Sequence, residues 1–155
     1  MRAQTFIITE KTYPLALTAL SHMRQDGSVQ VTFHNATDVR KQAQNALMWA
    51  GWLPELSRQT GYTETELHER FKKTYMLRIY LASQENARQM EWVRLYDLIK
   101  EDGTKLMIDR ALDTISTTWA TVSQFAKYLG DIEKFCQSKG LQLPADPNYV
   151  KAMAR

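Results

Sequence analysis

The run Arg40, Lys41, Gln42, Ala43, Gln44, Asn45, Ala46, Leu47, Met48, Trp49 concentrates side chains able to meet a nucleic acid. At about 100° per residue on a helix, Lys41, Asn45 and Trp49 share one face, with Arg40 and Gln44 stacked beside them. Amides both donate and accept hydrogen bonds to bases and phosphates, and Lys and Arg add phosphate contacts. An aromatic on such a face could stack an unpaired base, a contact worth ~1–3 kcal/mol. Trp49 and Trp52 have two readings: packing in the core, the usual place for large aromatics, or base stacking. A second basic group, Arg70, Lys72, Lys73 and Arg78, alternates with Phe71, Tyr75 and Tyr80. That interleaving suits a strand-binding groove, and equally the wet face of an amphipathic helix.

Catalytic chemistry finds little foothold. His22, His34 and His68 are scattered, with no pair at metal-ligand spacing on a helix. The sequence holds no G-x-S-x-G, no phosphate-binding loop and no G-x-G-x-x-G. A nuclease would need carboxylates clustered around Mg²⁺, for which Asp97, Glu101, Asp102, Asp109 and Asp113 are the candidates. Acidic residues one helical turn apart are more often a solvated face. The one cysteine, Cys136, lies on an apolar stripe and reads as a buried structural thiol. The expectation is a non-enzyme without metal or cofactor.

The positions of these residues depend on elements legible from local pattern. Thr5–Thr9 and the alternating Val29, Val31 and Phe33 read as strands. Between them, a helix capped at Thr12 with Pro14 in its first turn stops near Gly27. From Asp38 the pattern turns helical. Residues 39–60 form one segment in which Pro54 should kink or break the helix. Thr63 to Glu66 is a capping-box pattern, a further helix covers Ala87 to Lys100, and 103–119 is ambiguous, with Thr104 to Ile108 fitting either a strand or a short helix. Thr121 or Ser123 caps a last helix with the stripe Val122, Phe125, Ala126, Leu129, Ile132 and Cys136, which Gly140 ends. The fold expected is α+β: a small strand–helix–strand unit over 1–35, a mainly helical portion over 36–140, and a loose tail over 141–155. All of it belongs to a single domain.

With 155 residues, 44% of them hydrophobic, the chain can bury a core without disulfides. Its charge of +3, from 20 basic and 17 acidic residues, is too small for purely electrostatic nucleic-acid binding. A DNA-binding surface would have to gather that charge on one side. The N-terminal MRAQTFIITEK has only Phe6, Ile7 and Ile8 as an apolar core, and no segment approaches a membrane span. With a single cysteine, the expected setting is the reducing cytoplasm.

Two blocks carry a resemblance. Gln44 to Gln59, QNALMWAGWLPELSRQ, resembles the Q-N-x-x-x-W segment and S-R-Q ending of the NinB or Orf family of lambdoid-phage recombination proteins. Thr121 to Leu143 is similar to that family's C-terminal helix, an F-A-x-x-L-x-x-I-x-x-F run closing on a basic residue, Gly and an aliphatic. The Ser-Leu lead-in usual before the Gln-Asn pair is absent, since Lys41, Gln42 and Ala43 stand there. The resemblance implies a homodimeric recombination mediator that prefers single-stranded DNA. It also implies that the protein engages the host single-stranded-DNA-binding protein and helps load a phage recombinase onto coated DNA. Gln44, Asn45 and Trp49 would belong to its functional segment. Lys127, Lys134 and Lys139 would lie near the DNA or the dimer centre. The alternatives are an adaptor that binds protein and no DNA, or the small nuclease weighed above.

Overall fold

The computed structural model describes residue 8, residues 12–23 and residues 36–154. Contacts gather the chain into two compact units, Met1–Val39 and Arg40–Arg155. Helix α1, Tyr13–Ser21, starts after Thr12 with Pro14 in its first turn, where a missing N–H costs nothing, but Thr12 makes no side-chain capping bond and the helix ends at Ser21, short of the expected stop near Gly27. The expected strand at Thr5–Thr9 lies outside the described residues except for Ile8, which belongs to no element. The strand at Val29–Phe33 lies wholly outside them.

No strand occurs among the described residues, so the expected α+β class is corrected to all-α. The expectation rested on short runs of strand-forming residues. Two strands alone are marginal in water and need further strands or a packed face. Residues 36–154 supply no further strand.

Helix α2, Ala36–Ala46, passes without a break through a π-helical turn at Leu47–Trp52 into α3, Leu53–Thr60. The chain thus stays helical through the position where Pro54 was expected to kink or break it. Proline lacks an N–H and its ring crowds the carbonyl four residues back. The wider π turn is formed just before the proline, and the Leu53 N–H reaches the carbonyl of Met48, five residues back. Gly61, at φ 78°, then closes α3 with its N–H on the Ser57 carbonyl at 2.9 Å. That left-handed conformation is open to glycine at little cost.

Helix α4, Glu64–Phe71, opens on the expected capping box. The Glu66 N–H donates to Thr63 Oγ1 at 3.2 Å, and the Thr63 N–H donates to the Glu66 carboxylate at 2.8 Å. A second π turn, Lys72–Met76, leads into α5, Leu77–Ala82. Helix α6, Ala87–Asp102, and helix α7, Lys105–Asp113, follow, then a 3₁₀ turn at Thr117–Trp119. The ambiguous 103–119 stretch thus holds a helix and a 3₁₀ turn, with Thr104 Oγ1 accepting the Met107 N–H at the start of α7.

Helix α8, Val122–Lys139, is capped by Thr121 through a second capping box with Gln124 and ends at Gly140, φ 67°. Its stripe of Phe125, Leu129, Ile132 and Cys136 is buried against Trp52, Leu56, Phe71, Met76 and Tyr80 from the preceding helices. Fully burying such side chains stabilises by about 1.5–3 kcal/mol each.

Two features lock these helices. Gln89 and Gln124 are buried as a reciprocal amide pair. Gln89 Nε2 donates to Gln124 Oε1 at 2.7 Å, and Gln124 Nε2 returns the bond at 3.0 Å. Their remaining N–H groups go to the carbonyls of Trp119 and Ser83, and their oxygens accept the N–H groups of Glu85 and Thr121. Every amide hydrogen-bonding group of the pair is satisfied, so the network fixes where α6 meets α8.

The second lock is the tail, which is not loose. Helix α9, Tyr149–Met153, buries Ala152 completely, and Tyr149 donates its hydroxyl to the Glu133 carboxylate at 3.0 Å.

Candidate nucleic-acid interface

Apolar packing decides how α2 faces the rest of its unit. Ala43, Leu47 and Met48 are buried, so Lys41 and Asn45 point into solvent and Trp49 remains 42% exposed. The three outward residues are the ones whose spacing placed them on one face. Trp52 lies in the core at 1% exposure, so the two tryptophans take one reading each. Trp49 is held from behind by His68 of α4, the ring centroids 4.6 Å apart.

Gln44 is not part of that face. It is 2% exposed, and its Nε2 donates to the carbonyl of Val122 at 2.8 Å and to that of Ala152 at 3.0 Å. Its amide ties α2 to the start of α8 and to α9, leaving neither N–H for a base. Arg40, on the same side of the helix, is half-buried.

The second basic group is split. Arg70 lies over the Tyr62 ring at 5.0 Å, whereas the Lys73 ammonium pairs with Asp113 of α7. Lys72 is buried and donates to the Ile115 carbonyl at 3.1 Å while pairing with Glu69 at 2.5 Å. Arg78 is exposed. Arg70 follows His68 by two residues, which on α4 turns it about 200° away from the side that holds Trp49. The structure therefore does not bring Arg70 onto the Trp49 face. Lys127, Lys134 and Lys139 are exposed on α8, with Lys134 3.9 Å from Asp131.

His68 is the residue that spacing did not reveal. It stands nineteen positions beyond Trp49, and no local pattern links the two. Burial, and then the nearby Lys72 charge, push its imidazole down to about 4, against a weaker opposing effect of Glu69. It therefore backs Trp49 as a neutral ring at neutral pH. Among the described residues its Nδ1 has no hydrogen-bond partner, and neither does the buried Tyr128 hydroxyl, whose pKa burial pushes up.

Among the described residues no three His, Cys, Asp or Glu side chains gather to hold a metal ion, and Asp113 is engaged by Lys73. Cys136 is buried, its thiol pushed up to about 11 chiefly by burial. No helix among the described residues is long and apolar enough to cross a membrane. No protein-family model, curated protein or solved structure matches the chain.

Proposed function

We propose that the protein binds single-stranded DNA through the Lys41, Asn45 and Trp49 face and serves, without catalysis of its own, as a recombination mediator. The observation that carries this reading is Trp49, a large aromatic half in solvent beside an amide and an ammonium on one helix. A tryptophan held on a neutral imidazole is a ready platform for an unpaired base, and Lys41 offers a phosphate contact. The mediator role, with a host single-stranded-DNA-binding protein and a phage recombinase as partners, rests on the two-block resemblance.

The proposal includes a homodimer. It is supported by Met90, Leu95 and Leu98 of α6 and Leu106 and Met107 of α7, all of them 49–60% exposed. Large apolar groups left exposed on two successive helices are the raw material of a protein interface. The same residues would serve an adaptor that binds no DNA.

Titration with single- and double-stranded oligonucleotides of equal length tests the reading. Single strands should bind more tightly, with affinity falling as salt rises. Trp49→Ala should weaken single-strand binding by about 1–3 kcal/mol without altering the helical circular dichroism. Equal affinity for duplex, or no salt-dependent retention on a single-stranded DNA resin, would overturn it and leave the adaptor.

A further inference from the structure

Beside the short link between α3 and α4 lies a cavity of about 200 Å³. It lies below the ~300–1,000 Å³ of sites for drug-sized molecules, and suits a single large side chain. Its buried floor includes Leu56, Leu67 and Phe71. Tyr75 and Phe135 also line it and form an aromatic group with Phe71, at centroid separations of 5.9–6.3 Å. Apart from one guanidinium, the polar groups of the lining side chains are hydroxyls, and that of Thr60 is already donated to the Leu56 carbonyl at 2.7 Å. A nucleobase would leave its polar edges poorly satisfied among such groups, whereas a hydrocarbon or phenyl group would not.

The guanidinium is that of Arg70. No carboxylate among the described residues forms an ion pair with it, and Tyr62 beneath it fixes its place without neutralising it. Arg70 lines the cavity and its guanidinium lies over the ring of Tyr62, another lining residue, so an occupant that fills the cavity with an apolar group and carries an anion close to that group can use both. On a polypeptide, the last residue meets that condition, since its own α-carboxylate flanks its side chain.

We propose that this cavity receives the C-terminal residue of a partner protein, an aromatic or large aliphatic one, with Arg70 pairing its terminal carboxylate. The proposal specifies the chemistry of the protein partner in the function given above. It rests on that reading only for the existence of such a partner.

The probe is a fluorescein-labelled Gly-Ser-Gly-Ser-Gly-Phe peptide with a free carboxylate, set against its C-terminal amide by anisotropy on the full chain. The acid should bind saturably, and the amide at least about tenfold more weakly, a loss of ~1.4 kcal/mol or more. Arg70→Gln should erase the difference between acid and amide, and Thr74→Trp, at the exposed Thr74 of the lining, should block both. Equal binding of acid and amide, or none at millimolar peptide, would overturn the proposal. So would decanoate binding that matches the peptide, or an oligo(dT) that displaces it, since these assign the cavity to a free amphiphile or a base. Oligo(dT) affinity measured on the same samples keeps the two readings apart. Its loss with peptide binding retained refutes only the DNA reading, and the reverse refutes only this one.

Discussion

Gln44 and Asn45 are chemically similar neighbours with opposite roles, and a pair of substitutions separates them. Gln44→Ala removes the donors to two buried carbonyls and should lower the unfolding free energy by about 1–3 kcal/mol, read from the urea midpoint. Asn45→Ala should change stability by about half a kcal/mol or less and instead weaken single-strand binding. The difference was available in the sequence: Gln44 lies in the arc of Ala43, Leu47 and Met48, and Asn45 lies opposite. The amide type suggested a binding residue where the helical phase pointed inward. His68 yields a prediction with a definite sign. The unfolded chain takes up its proton near pH 6.5, the ordinary value, but the folded chain only near 4. Stability from keeping this ring neutral is thus fully present above pH 6.5 and is lost as pH falls toward 4. Urea midpoints at pH 7 and 4.5 should diverge more in the parent than in His68→Phe, and equal divergence would refute the assignment.

Among the elements, the glutamine pair joining α6 to α8 should behave as one unit. Gln89→Leu strands the partner amide and the Glu85 N–H, the Trp119 carbonyl keeping Asn86 Nδ2, whereas Gln124→Leu strands the partner amide, the Ser83 carbonyl and the Thr121 N–H. Their double-mutant cycle should return a coupling of about 1–3 kcal/mol, and additive effects would show that the amides act separately. Helix ends were legible where a capping box or a left-handed glycine marks them, because such a cap is a local contract between a few residues; the ends of α1, expected at a Thr12 cap and near Gly27, were not. Thr63 with Glu66, and Gly140, act as their types and spacing indicate, and Thr121 takes the cap that Ser123 might equally have supplied. The two π turns were not legible. Leu47–Trp52 and Lys72–Met76 have ordinary helical composition, and the only local clue is Pro54 just beyond the first. The run 104–108 was ambiguous because five residues are too few to tell a strand period from a helix period; the Thr104 cap opens the helix Lys105–Asp113.

For the molecule as a whole, the tail is the feature most at odds with its composition. Removing residues 144–155 deletes the buried Ala152, one acceptor of Gln44 and the Tyr149–Glu133 contact. The shortened chain should lose about 2–4 kcal/mol, seen as an earlier urea midpoint. A midpoint unchanged by the truncation would restore the loose tail. Prolines at 144 and 147 gave the segment its unstructured appearance. Its one structural commitment is five residues of helix, too short to register as a periodicity. The all-α outcome has a related origin. Strand readings drawn from short runs near the N-terminus cannot know whether the rest of the chain will offer a sheet, and here 36–154 folds as helices.

The placement of Trp49 gives the protein a built-in optical reporter. Of the four tryptophans, Trp52 and Trp92 are buried, Trp119 is partly covered, and Trp49 is the most exposed. The longest-wavelength emission, and the part most accessible to a dissolved quencher such as acrylamide, should therefore come chiefly from Trp49. A base stacked on that indole would shield it from the quencher and dim it directly. Unlabelled protein and unlabelled oligonucleotide would then suffice to follow binding at the proposed face.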